Sequence, residues 1–181
     1  GTDVLWVDNR LSPHAHTNHT FAAGPPGWEH GLYRHVGPAA GALTSRPIIH
    51  IKGVEEHQLA TGPGVDVIRV EKSPANGTKV WAGAGDDQII VGAAANGLNG
   101  IGGPVAAAGE VGADTLTVDN RGATVRTLAV TKTAVTRSDG KAVNYTSMRK
   151  VEVQTDDGPG NVNVQEKAAG VEVAVGFNGF G

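Results

Sequence analysis

Three observations predict an all-β chain arranged as a parallel β-solenoid, of the right-handed β-helix kind. The opening decapeptide GTDVLWVDNR, Gly1 to Arg10, returns as GADTLTVDNR, Gly112 to Arg121. Glycine is abundant, 27 of 181 residues, while aromatics make up only 4%. That balance deprives a helical core of large side chains and weakens helices by roughly 1 kcal/mol for each interior Gly. The apolar residues fall in short β-branched runs bounded by Gly, Asn, Asp or Pro, as strands joined by turns do. A repeated segment signals a recurring packing unit, so residues 1–181 are expected to form one domain, with 11–46 an irregular insertion or cap.

The opening pair generalises to Gly-x-Asp-x-(Leu or Ile)-x-Val. It occurs at Gly1–Val7, Gly64–Val70, Gly85–Val91 and Gly112–Val118, with a decayed copy at Gly158–Val164 where Gly160 replaces the Asp. The five copies start 63, 21, 27 and 46 residues apart, near multiples of a period in the low twenties, the length of one solenoid coil. In each copy Gly allows a turn with positive φ and Asp hydrogen-bonds turn amides. The alternating aliphatics then line one face of a strand. Such a strand cannot bury its face alone, but stacked on its copies it forms an aliphatic column.

After the first copy, Leu11 to Ala42 is rich in Pro, Gly and His and lacks strand periodicity except at HTFAA. It is expected to be a long excursion anchored by Phe21, Trp28 and Tyr33. Pro47 to Ile51 reads as a strand, and Glu55 to Ala60 as a short helix. Lys79 to Trp81, Pro104 to Ala108, Val125 to Val135, Lys150 to Val153 and Val171 to Val175 complete the expected strands. Gly97 to Gly103 is Gly-rich, but no Lys-Ser/Thr follows it, so it is not a phosphate loop. The first residue begins a motif and Gly176 to Gly181 stops where another turn would start. Together with the missing initiator Met, this predicts a processed product or a piece of a continuing array.

Within this pattern AGAGDDQII, Ala82 to Ile90, and TGPGVDVIR, Thr61 to Arg69, resemble the nonapeptide G-G-x-G-x-D-x-(aliphatic)-x of haemolysin-type calcium-binding (RTX-like) proteins. The run Gly83 to Gly122 is similar to degenerate repeats of large bacterial surface and secreted proteins, adhesin-like chains among them. The resemblance covers roughly Val54 to Val175. It implies a solenoid fold, an extracellular or cell-surface location and calcium as the candidate ion, with Asp66, Asp86, Asp87 and Asp114 as oxygen ligands. The family's calcium lies between tandem nonapeptides, whereas here the copies stand 21 or more residues apart. The implied fold is therefore firmer than the implied metal, and no cofactor is required by the repeat itself.

A net charge of -3 with dispersed Lys and Arg excludes an electrostatic footprint for nucleic acid. No run reaches the ~18 apolar residues of a membrane span. With no Cys, disulfides, thiolate metal sites and cysteine nucleophiles are excluded. The seven His all fall by position 57. His14, His16 and His19 form the candidate zinc or nickel set, because alternate positions on an extended strand face one side; a polar loop with ordinary hydrogen bonds is the competing and favoured reading. Asp156-Asp157 with Arg149 and Lys150 has the composition of a β-helix lyase or hydrolase cluster, although paired acids before Gly158-Pro159-Gly160 read first as a turn. The expected function is a non-enzymatic structural or adhesive module of an extracellular bacterial assembly, pairing with itself or with neighbouring repeats in a filament, layer or giant surface protein. The alternatives are a carbohydrate-binding or carbohydrate-active β-helix, with Trp28, Tyr33 and Trp81 stacking on sugar rings of a surface polysaccharide, and a metal-binding surface protein.

Overall fold

The computed structural model describes residues 1–10, 18–36, 44–124, 127–156 and 161–178, with backbone alone at 18, 33–36, 44–48 and 178. It is all-β. In chain order the strands are β1 (Val4–Asp8), β2 (Asn18–Ala23), β3 (His30–Val36), β4 (Thr44–Ile51), β5 (Glu56–Ala60), β6 (Val67–Val70), β7 (Thr78–Trp81) and β8 (Gln88–Gly92). They continue as β9 (Val105–Ala108), β10 (Thr115–Asp119), β11 (Leu128–Val130), β12 (Ala134–Arg137), β13 (Ala142–Thr146), β14 (Lys150–Asp156), β15 (Val162–Val164) and β16 (Glu172–Asn178). Among the described residues the one helical element is a 3-10 turn at Leu98–Gly100, and no helix is long and apolar enough to cross a membrane.

The strands form two eight-stranded mixed sheets, neither closed on itself. The first has the order β1-β5-β7-β9-β13-β12-β11-β15, the second β16-β14-β10-β8-β6-β2-β3-β4. From β5 to β10 the chain alternates strictly between them, and each return pairs parallel with the strand one round trip earlier. In the second sheet Ile68, Ile89, Leu116, Val151 and Val173 stand in one register column, and Val70, Val91, Val118, Val153 and Val175 in the next. Facing them in the first sheet are Leu59, Val80, Ala107 and Tyr145, continuing from Val7. Apart from half-buried Val175 on the last strand, these residues form one apolar core or, as Val7 and Val173 do, pack against it. Each buried Val, Leu or Ile removes side-chain area worth roughly 1.5–3 kcal/mol.

Three copies of the repeat, at 64, 85 and 112, stack in the second sheet as β6, β8 and β10. The expectation of a single column of five does not hold: Gly1–Val7 forms β1 and the decayed copy forms β15, at opposite edges of the first sheet. The alternating aliphatics specify a half-buried strand but not which sheet it joins.

Three further expectations are corrected. Glu56–Ala60 is strand, not helix: His57 and Leu59 point inward, Glu56 and Gln58 outward, and pairing with β1 and β7 satisfies both backbone edges. The described part of 11–46 is not irregular. β2 pairs parallel with β6, and β3 and β4 follow antiparallel, burying Phe21, Leu32 and Ile51 over one end of the core. The Gly, Pro and His content hid the antiparallel pairing of β2, β3 and β4. The described part of the expected strand Val125 to Val135 is broken by the turn Thr131–Thr133 into β11 and β12, and β13 had no expected counterpart.

Candidate functional site

The Gly-x-Asp corners explain themselves geometrically. Gly64, Gly85 and Gly112 have φ of 135°, 137° and 152°, and a Cβ on Gly112 would lie 1.7 Å from the Gly85 carbonyl oxygen. Two residues on, the Asp66 backbone N–H donates to Asp87 Oδ1 at 2.7 Å, and the Asp87 N–H donates to Asp114 Oδ1 at 2.9 Å. Each carboxylate thus staples the preceding corner. Exposed Asp86 reaches the other way, accepting the Ala113 N–H of the following corner at 2.9 Å. Of the four expected calcium ligands, Asp66, Asp87 and Asp114 therefore share one buried column while Asp86 faces outward. Among the described residues no group of three His, Asp or Glu is arranged to hold a metal ion. Burial pushes the Asp87 carboxyl up to about 6, opposed by its hydrogen bond from Asp66 and reinforced by neighbouring carboxylates. Burial raises Asp114 as well. Asp87 Oδ2 and Asp114 Oδ2 are buried without a hydrogen-bond partner, which favours the protonated form.

Of the expected histidine set, His14 and His16 lie outside the described residues. His19 is buried on β2, with Nε2 3.5 Å from the Asn9 amide nitrogen. The structure instead brings together two histidines that sequence reasoning left unassigned. His57 is fully buried, stacked on Phe21 at 4.8 Å and edge-on to His30 at 4.9 Å. Burial holds His57 down at about 4, with the His30 charge adding to the effect, and burial lowers His30 too. The inward phase of His57 beside Leu59 was the available signal.

The acids and bases near the C-terminal end do not converge. Asp156 Oδ2 accepts the Gly122 N–H at 2.5 Å, Arg149 reaches the Gly170 carbonyl at 3.3 Å and Lys150 pairs with Glu152 at 3.5 Å; Asp157 lies outside the described residues. Trp28 packs on His50 at 5.4 Å, while Trp81 packs on Trp6 at 5.5 Å. The side chain of Tyr33 is not among those described.

The outer face of the first sheet carries a cavity of about 290 Å³. Register defines it as two rows across three strands: Lys79, Ala106 and Asn144 in one, Trp81, Ala108 and Thr146 in the other. The alanines of β9 form a floor one strand wide. Adjacent strands lie ~4.8 Å apart, so the β7 and β13 walls stand ~10 Å apart. Thr133, in the β11–β12 turn, closes one side, and that turn is tied down by Tyr145, whose hydroxyl donates to the Thr131 carbonyl at 2.6 Å. Lys79 is neutralised by Glu56 at 3.0 Å. With an aromatic wall, small floor and neutral polar edge, the cleft is equipped to bind rather than to transfer protons. VAAA in β9 was legible as a strand, but the cleft depends on β13. No family model, curated protein or solved structure matches the chain.

Proposed function

We propose that this chain is a non-enzymatic structural and adhesive module: a right-handed parallel β-solenoid segment of an extracellular surface assembly that associates with itself or with neighbouring repeats. The observation that carries the reading is the in-register parallel pairing of strands that return once per round trip, with the core columns running through both sheets. Right-handedness follows the general preference of parallel crossovers. Sheets that do not close leave edge strands, and unpaired edges are templates for another chain. β1 is such an edge, with Val4 47% and Trp6 50% exposed. The resemblance of the Gly-Asp corners to surface-protein repeats supports the location. Backbone N–H groups occupy one oxygen of Asp87 and of Asp114, which supports corners closed without calcium.

Negative-stain imaging together with sedimentation over a range of concentrations tests the reading. Rods or ordered arrays that grow with concentration, and shrink when Trp6→Pro removes a β1 donor, are the expected result. A concentration-independent monomer that cleaves polysaccharide would replace it with the enzymatic alternative.

A further inference from the structure

We propose that the cleft over β9 is a binding subsite for neutral oligosaccharides, with Trp81 as the stacking platform and Asn144, Thr146 and Thr133 as the hydroxyl-reading edge. It deepens the adhesive reading above and rests on it. In the sheet order β1-β5-β7-β9-β13, Trp6 reaches Trp81 from the β1 side, and the cleft opens on the β9 side. Trp6 therefore braces one flank of the Trp81 indole while the other borders the cavity. At position 106 the floor residue is exposed and at 108 half-buried, and any larger side chain there would fill the trough.

The chemistry selects the ligand. An indole face beside a flat alanine floor favours a ring with an apolar face, because aromatic side chains offer broad rigid contact area at low entropic cost. Opposite it stand an exposed carboxamide and hydroxyls, able both to donate and to accept, which matches the hydroxyl rim of a pyranose. Among the described residues Lys79 is the single charged one lining the cavity, and its charge is met by Glu56. An anionic ligand would have to compete with that carboxylate, so a neutral glycan is the better complement. The same trough would also receive the Trp6 edge of a second copy, and experiment decides between the two.

The probes are short neutral gluco-, xylo- and manno-oligosaccharides added to the whole chain, read by tryptophan fluorescence and by saturation transfer to the sugar protons. The expected result is saturable binding of at least one class with altered Trp emission. Trp81→Ala abolishes it, and Asn144→Ala weakens it roughly tenfold, about the worth of one lost hydrogen bond. Trp28→Ala, at a separate aromatic pair, leaves it unchanged. Should Trp81→Ala fail to fold, Ala106→Trp fills the trough from an exposed position and must block binding while circular dichroism and melting stay those of the parent. Absence of saturation transfer from all three classes at millimolar concentration overturns the proposal, as does binding that survives Ala106→Trp. If Ala106→Trp changes sedimentation and not sugar binding, the occupant is a second copy and the glycan assignment is wrong. Assemblies that persist without sugar binding leave the structural module standing, so the two failures are separable.

Discussion

The two near-identical decapeptides, Gly1 to Arg10 and Gly112 to Arg121, end in the same local device at very different places. In both, Asp-Asn-Arg folds back so that the Arg backbone N–H and Nε donate to Asp Oδ1 and Nη2 to Oδ2. The distances are 3.0, 3.0 and 2.6 Å for Arg10 on Asp8, and 3.2, 2.9 and 2.7 Å for Arg121 on Asp119. The first clamp sits exposed at the end of edge strand β1. The second sits at the end of β10, flanked by β8 and β14, with the Asp119 side chain 7% exposed. There the intervening Asn120 is fully buried and accepts from Arg137 Nη1 at 3.2 Å, whereas Asn9 only approaches His19 at 3.5 Å. Identical residues therefore encode a strand and its terminal clamp, and the neighbours decide what either is worth.

Substituting matched positions sharpens that contrast. The largest difference is expected at the leading glycines. Gly112→Ala places a Cβ into the Gly85 carbonyl and costs about 3 kcal/mol or more, whereas Gly1→Ala meets nothing within 4 Å and leaves the thermal midpoint in place. Next come the aliphatics: Leu116→Ala, emptying a fully buried site in the middle of the sheet, loses about 2–5 kcal/mol in denaturant titration. Leu5→Ala, partly buried at the edge, loses less. For the clamps, Asp119→Ala is expected to cost about 2–3 kcal/mol, as removal of a shielded charged partner does, while Asp8→Ala, whose pair is exposed, leaves the melting curve unchanged. Equal losses within any of these pairs would mean that the two copies share an environment.

Acid separates the neighbourhoods in a further, smaller way. His57, paired with Leu5 of the first copy, is held at about 4 against an ordinary 6.5. The fold favours its neutral form, so its contribution is complete above 6.5 and is lost as pH falls toward 4. Asp87, beside the second copy, is raised from 3.8 to about 6. Its contribution is complete below 3.8 and is lost as pH rises through about 6. Melting temperature followed from pH 7 to pH 4 should therefore flatten its acid decline by a few degrees in His57→Phe. Asp87→Asn, which keeps the acceptor for the Asp66 N–H, should gain stability at neutral pH.

Much of this architecture was written in the sequence. The Gly-x-Asp-x-aliphatic period placed β6, β8 and β10 because each corner combines a glycine-only conformation with a carboxylate that serves its neighbour. Strands without that corner were harder to read. β5 carries Glu, His and Gln, whose helical preference yields to pairing on both edges. β13 interleaves Asn and Tyr with Val and Ala, and β3 hides between glycines and prolines. The cleft was illegible for a related reason: its walls and floor come from segments some 25 to 40 residues apart, so only the register brings Trp81, Ala108 and Thr146 into a row. The buried pairing of His30 with His57 likewise depends on β3 folding over the end of the core.

Register is also what an engineered disulfide reads most directly, on a background free of native Cys. Gln88 and Thr115 are parallel-register neighbours on the outer face of the second sheet, 27 residues apart in the chain. Adjacent-strand spacing lies within disulfide range. The double variant Gln88→Cys/Thr115→Cys should oxidise spontaneously in the folded protein, whereas Gln88→Cys/Thr117→Cys, offset by two residues, should stay reduced. Preferential closure of the offset pair, or of neither, would contradict the stacked parallel register on which the corners, the core columns and the cleft all depend.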